Sequence, residues 1–207
     1  MSQYFTIHPE NPQVRLLTQS AAILRDSGVI IYPTDSSYAL GCRMGDKDAL
    51  DRIRQIRQLP GNKPLTLVCC DLSEISTYAQ INNADFRTMK SLTPGPYTFI
   101  LKAKHDVPKR LQDSKRRVIG IRVPDNPITQ GLLDAIGEPI ISISLVLPDQ
   151  ELPENNPEIF AEKLEKRVDL IIDGGPGGLD FTTVIDMTGP ESIVLREGKG
   201  FENLSMN

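Results

Sequence analysis

At 207 residues, with 39% hydrophobic and 24% charged side chains, the chain is sized for one large domain or at most two small ones, able to fold without disulfide or metal staples. No apolar window approaches the roughly 18 residues of a membrane span, and nothing in residues 1–10 reads as a signal peptide. A net charge of −4 argues against a general polyanion binder.

From the N-terminus, Asn11-Pro12 opens a periodic run (Val14, Leu16, Leu17, Ala21, Ile23, Leu24) closed by Ser27-Gly28. Asn as N-cap, Pro at the first helical position and Gly past the end predict a helix. An apolar strand follows at 29–32, then a helix at 46–58, a strand at 65–70 and a helix at 83–92. Strands are expected at 97–101, 118–123, 140–145, 168–172, 183–185 and 193–195. The Asn-Pro opening recurs at Asn126-Pro127 and Asn156-Pro157, ahead of Ile128, Leu132, Leu133 and Ile136 and of Ile159, Phe160 and Leu164. Several strands are continuously apolar, as strands covered on both faces are. The alternation predicts a single α/β domain over residues 1–207, built on a twisted, mixed, open sheet. Residues 148–157, rich in proline, asparagine and acids, are expected to form an exposed loop.

Charge is unevenly spread. Residues 102–122 hold eight basic side chains against Asp106 and Asp113, and residues 149–180 hold nine acidic against three basic. Salt screens charges beyond about 8 Å, so a local basic cluster can hold phosphates on an acidic protein. Lys109, Arg110, Lys115, Arg116 and Arg117 are the candidates for RNA contact. With 5% aromatic residues and no Trp, the chain lacks the stacking platform that single strands need. Cys42, Cys69 and Cys70 have no zinc spacing and read as reduced thiols of a cytoplasmic protein. A P-loop is absent, and His8 and His105 have no motif partner for triad chemistry.

Polar residues gather at strand ends in four places. Thr34, Asp35, Ser36 and Ser37 follow the first strand, where they either collect a ligand or satisfy local backbone donors. Arg57 and Lys63 flank a Pro-Gly-Asn loop; they either complement a helix dipole or project toward a phosphate. Strand alternation puts Val118, Gly120 and Arg122 on one face. An arginine there requires an anionic partner, either Asp35 or a ligand, and Gly120 suits a close ligand approach. Ser142-Ile143-Ser144 and Phe181-Thr182-Thr183 present hydroxyls that cap strands or reach a ligand.

The stretch from Tyr32 to Gly41, the turn carrying Arg57, Pro60, Lys63, Pro64 and Leu65, and then Pro94-Gly95-Pro96-Tyr97-Thr98, Ile121-Arg122-Val123-Pro124 and Thr182-Thr183-Val184-Ile185-Asp186 occur in one order. The ordered set resembles the YrdC-like (threonylcarbamoyl-AMP synthase) family, closest to its YciO branch, over a core of about residues 28–198. That resemblance implies a YrdC/RibB-like fold with a basic concave face. It implies formation of threonylcarbamoyl-AMP from L-threonine, bicarbonate and ATP for t6A modification of tRNA, with double-stranded RNA or tRNA as a further partner. Carried over by position, Thr34 contacts the threonine, Arg122 its carboxylate, and Thr182 belongs to the same substrate pocket. Arg57, Lys63, Ser144 and Arg196 serve the nucleotide. ATP enters as substrate with Mg, and no tightly bound cofactor is expected.

The chain departs from the family pattern at Leu59, where a phosphate-facing arginine is expected, at Val146 in place of an asparagine, and at Ile143 in place of a threonine. Losing one preorganised polar group costs a transition state a factor of about 10²–10³ in rate. The expectation is therefore nucleotide binding with weak or altered synthase activity, a nucleotidyltransferase in kind. The alternative is a non-catalytic module for double-stranded RNA or tRNA.

Overall fold

Among the described residues, five of the six α-helices open on a side-chain cap that the sequence supplies. In the computed structural model, which describes residues 2–60, 63–113, 115–148 and 150–206, the order begins β1 (Gln3–Thr6), α1 (Val14–Arg25), β2 (Ile30–Tyr32), β3 (Ala39–Arg43), α2 (Lys47–Ile56) and β4 (Thr66–Val68). It continues with α3 (Leu72–Tyr78), β5 (Ala79–Gln80), α4 (Asn83–Leu92), β6 (Tyr97–Ala103), β7 (Val118–Arg122) and α5 (Pro127–Ile136). Then come β8 (Ile140–Ser144), α6 (Pro157–Leu164), β9 (Leu170–Asp173), β10 (Thr183–Asp186) and β11 (Ile193–Arg196). Asp46, Asp71, Asn82, Asn126 and Asn156 each accept a backbone N–H from the first turn they precede, contributing about 1 kcal/mol apiece.

The exception is α1. It starts at Val14 behind an N-cap, Gln13, whose side chain makes no cap bond. Asn11-Pro12, expected to open this helix, lies instead in a turn gathered by His8, whose Nδ1 accepts the N–H groups of Glu10 and Asn11. Gln13 is diverted too, its Oε1 accepting the His8 N–H.

The strands form one mixed sheet in the order β1-β9-β2-β3-β8-β4-β7-β6-β10-β11, with β5 on β6. Parallel ladders join β1 to β9, β9 to β2, β4 to β7 and β6 to β10, and the remaining pairs are antiparallel. Helices α1 and α5 bury Leu17, Ala21, Leu24, Ile128 and Leu132 against Ile30, Tyr32, Leu170 and Ile172 on one face. The other face packs Ile53 of α2 and Phe160 of α6 into a larger cluster with Ile31, Leu40, Leu67, Phe99 and Ile171. Each such side chain contributes roughly 1.5–3 kcal/mol when fully buried. Ile7, Leu17 and Leu24 are buried as well, so the segment ahead of β2 packs into the same hydrophobic body.

The described residues of segment 148–157 form the loop that composition suggests, exposed at Pro148, Gln150, Glu151 and Leu152 but anchored further on. Glu154 is buried and accepts bonds from the Gln150 amide and from the Asn155 and Asn156 N–H groups, and Pro153 and Pro157 are also buried. A carboxylate that satisfies three local donors pins the segment to the body. Asp149 of this segment lies outside the described residues.

Candidate functional site

Ladder partners point to the same face, so the strand register maps the site. One line of partners runs Gly41–Ser142–Thr66–Gly120–Ile100, from β3 through β8, β4 and β7 to β6. Toward one end of the strands the same face carries Ala39 and Ser144. Toward the other it carries Val68 and Arg122, followed across the sheet by Thr98, Val184 and Arg196. Near β2 and β9 this face is covered by α1 and α5. Over the smaller side chains a cavity of about 370 Å³ opens. A Cβ on Gly120 would stand 3.3 Å from the Thr98 methyl and 3.4 Å from Ile100 Cδ1, so the glycine keeps the floor low.

Thr34, Arg57, Lys63, Arg122, Ser144, Thr182 and Arg196 all line this cavity, although they come from separate segments. Thr34 stands in the tight β2–β3 connection, where its hydroxyl donates to the Ser37 carbonyl at 2.6 Å and accepts the Ser36 and Ser37 N–H groups. The loop is thus self-capped, as one of the two sequence readings has it, and it also borders the cavity.

Arg122 forms an ion pair with Asp35, and both side chains are only 8% exposed. Ser36 Oγ accepts a second bond at 3.3 Å, while the Asp35 carboxylate also takes the Asp125 N–H at 2.9 Å. Of the two anions considered for Arg122, the internal one is present, yet the Arg122 Nε is buried with no hydrogen-bond partner among the described residues. A buried, unsatisfied charged donor on a cavity wall is unfavourable until an anion or water meets it.

Arg57 follows α2 and turns back over β8. Its Nε donates to the Ser144 carbonyl at 3.0 Å and its Nη1 to the Val146 carbonyl. Burial holds its pKa below the ordinary value. A guanidinium has five N–H groups, so three remain for a ligand. Arg196 donates to the carbonyl and hydroxyl of Thr182 at 3.0 and 3.1 Å and lies 5.0 Å over the Phe181 ring. Burial, then the charge of Arg122, lowers its pKa. Thr182 in turn shares a 2.8 Å hydroxyl contact with Thr98. Lys63 is exposed at the rim; Gly61 and Asn62 of its loop lie outside the described residues.

Lys109, Arg110, Lys115, Arg116 and Arg117 stand apart from the cavity, in the segment between β6 and β7. Arg116 is paired with Asp186 at 2.7 Å and Arg110 donates to the Gly45 carbonyl, whereas Lys109 and Arg117 edge an open hollow of about 850 Å³. That hollow is the larger, but its cations are exposed tips; the smaller cavity holds a buried arginine and converging hydroxyls, the features of a small-molecule site. Among the described residues no cluster of His, Cys, Asp and Glu could hold a metal, and no helix is long and apolar enough to cross a membrane.

Reasoning from sequence did not single out Thr66 and Thr98 or select Ser142 as a site residue. Their signal is the register, because only the pairing of β8, β4, β7 and β6 brings them into line.

The family model Sua5_yciO_yrdC, described as "Telomere recombination", matches residues 22–198. The chain is 57% identical over 200 residues to the Escherichia coli K12 "Uncharacterized protein YciO", covering 97% of each. It is 30% identical over 190 residues to the threonylcarbamoyl-AMP synthase of Bacillus subtilis, covering 91% of this chain and 54% of that one. The crystal structure of E. coli YciO superposes with a TM-score of 0.93 at 57% identity, over 97% of each chain. P. abyssi Sua5, solved with L-threonine, shares the fold with a TM-score of 0.87 at 24% identity, over 95% of this chain and 58% of its own. On these matches and this fold, the chain belongs to the Sua5/YciO/YrdC family.

Proposed function

We propose that the protein binds ATP and an amino acid carboxylate in the cavity and forms threonylcarbamoyl-AMP slowly, from L-threonine, bicarbonate and Mg-ATP. The carrying observation is the convergence of Arg57, Lys63, Arg122 and Arg196 with Thr34, Ser144 and Thr182 around one hollow. Four cations there suit a ligand with both a carboxylate and phosphates. Arg122, with its unpartnered Nε, receives the carboxylate beside Thr34 and Thr182. Lys63 and the free N–H groups of Arg57 face the phosphates, with Ser144 and Arg196 bordering the nucleotide. Holding two charged reactants in one geometry supplies much of such a rate without a protein nucleophile. The name of the B. subtilis relative and the L-threonine in P. abyssi Sua5 support this choice of substrates. The low rate follows from Leu59 and Val146, which are packed and partly or fully buried where the family pattern has donors. ATP is a consumed substrate rather than a resident cofactor, and the compartment is the cytoplasm.

The test incubates purified protein with all three substrates and measures threonylcarbamoyl-AMP and pyrophosphate. Equal, slow formation of both, lost in Arg122→Ala, is expected. Absence of both products together with absence of ATP binding would refute the proposal. A second reading is favoured by the exposed Lys109, Lys115 and Arg117, which present charge for the phosphate backbone of tRNA or another structured RNA.

A further inference from the structure

The chain leaves β11 through Gly198-Lys199-Gly200, and this tail lies against the start of β10, with Lys199 bridged to Thr182. The Lys199 N–H donates to the Phe181 carbonyl at 2.9 Å, and the Thr183 hydroxyl donates to the Lys199 carbonyl at 3.0 Å. A Cβ on Gly198 would stand 2.5 Å from the Phe181 oxygen and 2.6 Å from that of Thr182, so glycine lets the tail come this close. Beyond it the Gly200 carbonyl accepts the Tyr97 hydroxyl at 2.9 Å. The Lys199 backbone is thus bonded on both sides, and its side chain starts from a fixed point beside Thr182. From there the ammonium crosses to the β2–β3 connection and donates to the Asp35 carbonyl. The segments it joins are far apart in the sheet, because β8, β4, β7 and β6 stand between β3 and β10. Both border the cavity, through Thr34 and Ser37 on one rim and Phe181 and Thr182 on the other. Among the described residues no other hydrogen bond ties one of these rims directly to the other. Lys199 itself is exposed and does not line the cavity.

We propose that Lys199 is a positioning residue, a latch that holds the Thr34 rim and the Thr182 rim at the spacing in which an amino acid is gripped between them. This rests on reading the cavity as the site of L-threonine and ATP. Arg122 is tied to the same Asp35 through its carboxylate, so the latch steadies all three groups of the amino acid end. A lysine suits the task, since its four-carbon stem spans the gap and a charged donor strengthens the bond to a carbonyl. Arg57 and Lys63, which face the phosphates, are anchored elsewhere, Arg57 on the Ser144 and Val146 carbonyls and Lys63 in the loop before β4. Apparent affinity is reduced by the fraction of molecules that hold the competent arrangement. Opening the latch therefore weakens the amino acid and spares the nucleotide.

The test is calorimetric titration of wild type, Lys199→Met and Lys199→Arg with two probes used separately, L-threonine and a non-hydrolysable ATP analogue. Lys199→Met keeps the stem and removes the donor on an exposed side chain, so it should melt within about 2 °C of wild type. It is expected to bind L-threonine about threefold to tenfold more weakly, the worth of one hydrogen bond, and to bind the ATP analogue as before. A lost positive charge by itself would do the opposite, weakening the polyanionic nucleotide more than the zwitterionic amino acid. Lys199→Arg, which can still reach the Asp35 carbonyl, should restore most of the threonine affinity. Unchanged threonine affinity in Lys199→Met would overturn the latch, and so would an equal loss for both probes. Failure of the wild-type protein to bind L-threonine would overturn the reading of the cavity and the latch with it, whereas equal binding by wild type and Lys199→Met overturns the latch alone.

Discussion

Replacing Asp35 by alanine removes the carboxylate that neutralises Arg122 inside the fold. Both side chains of the pair are 8% exposed, so water cannot readily take over. Asp35 also accepts the Asp125 N–H, whereas Lys199 meets only the Asp35 carbonyl and keeps that bond. Removing one partner of a buried ion pair typically costs about 3–5 kcal/mol, chiefly because the other charge stays buried. In a chain of this size each kcal/mol lowers the melting temperature by about 2–4 °C. Asp35→Ala should therefore melt about 6–20 °C below wild type, followed by circular dichroism. The companion Asp35→Ala/Arg122→Met, which removes both charges, should recover most of that loss. L-Threonine should raise the melting temperature of Asp35→Ala more than that of wild type, because its carboxylate meets a guanidinium with no competing anion. If Asp35→Ala melted within about 2 °C of wild type, too little for a buried charge, the Asp35–Arg122 pair could not be the buried element described.

Three further outcomes follow from other parts of the molecule. Arg57→Ala deletes two bonds from a charged donor to the Ser144 and Val146 carbonyls; on a half-exposed guanidinium this should cost about 1–3 kcal/mol in urea titration and weaken ATP binding. Burial raises the pKa values of Tyr32 and Cys42 to about 12, from ordinary values of 10.0 and 9.0. Raised acids bind protons more tightly when folded, so the stability they contribute is intact below pH 9 and falls as pH rises from about 9 to 12, which equilibrium unfolding across that range will read. In the second, RNA-binding reading, Lys109→Ala/Lys115→Ala/Arg117→Ala should lower the slope of log affinity against log salt by about 2–3, because each neutralised phosphate contributes about 0.7–0.9; an unchanged slope would place RNA elsewhere.

Helices α2, α4, α5 and α6 were readable because their caps are local, whereas α3, with an equally local Asp71 cap, was not expected. Asn126-Pro127 and Asn156-Pro157 have side chain, N–H and proline within one turn, and no distant partner competes. Asn11-Pro12 has the same letters, but His8 three residues earlier captures the Asn11 N–H, and local propensity loses to that turn. Strand β3 was hidden for a different reason. Ala39, Leu40 and Gly41 show no alternation, and the segment is a strand because β2 and β8 pair with it on either side. The cations of the site were visible one by one, as Arg57, Lys63, Arg122 and Arg196. Thr66 was not, and Ser142 was visible only as a hydroxyl that either caps its strand or reaches a ligand, since a hydroxyl on an apolar strand takes its meaning from its ladder neighbours. For Arg122 the sequence offered two anions, and geometry was needed to find Asp35 on one side of the guanidinium and an unpartnered Nε on the other.

The most direct measurement of the central claim is a crystal structure grown with L-threonine and a non-hydrolysable ATP analogue. The account predicts density above Gly120, with a carboxylate oxygen on Arg122 and phosphate oxygens toward Lys63 and Arg57. Ligand density confined to the hollow beside Lys109 and Arg117, with the sheet-face cavity left to solvent, would contradict it.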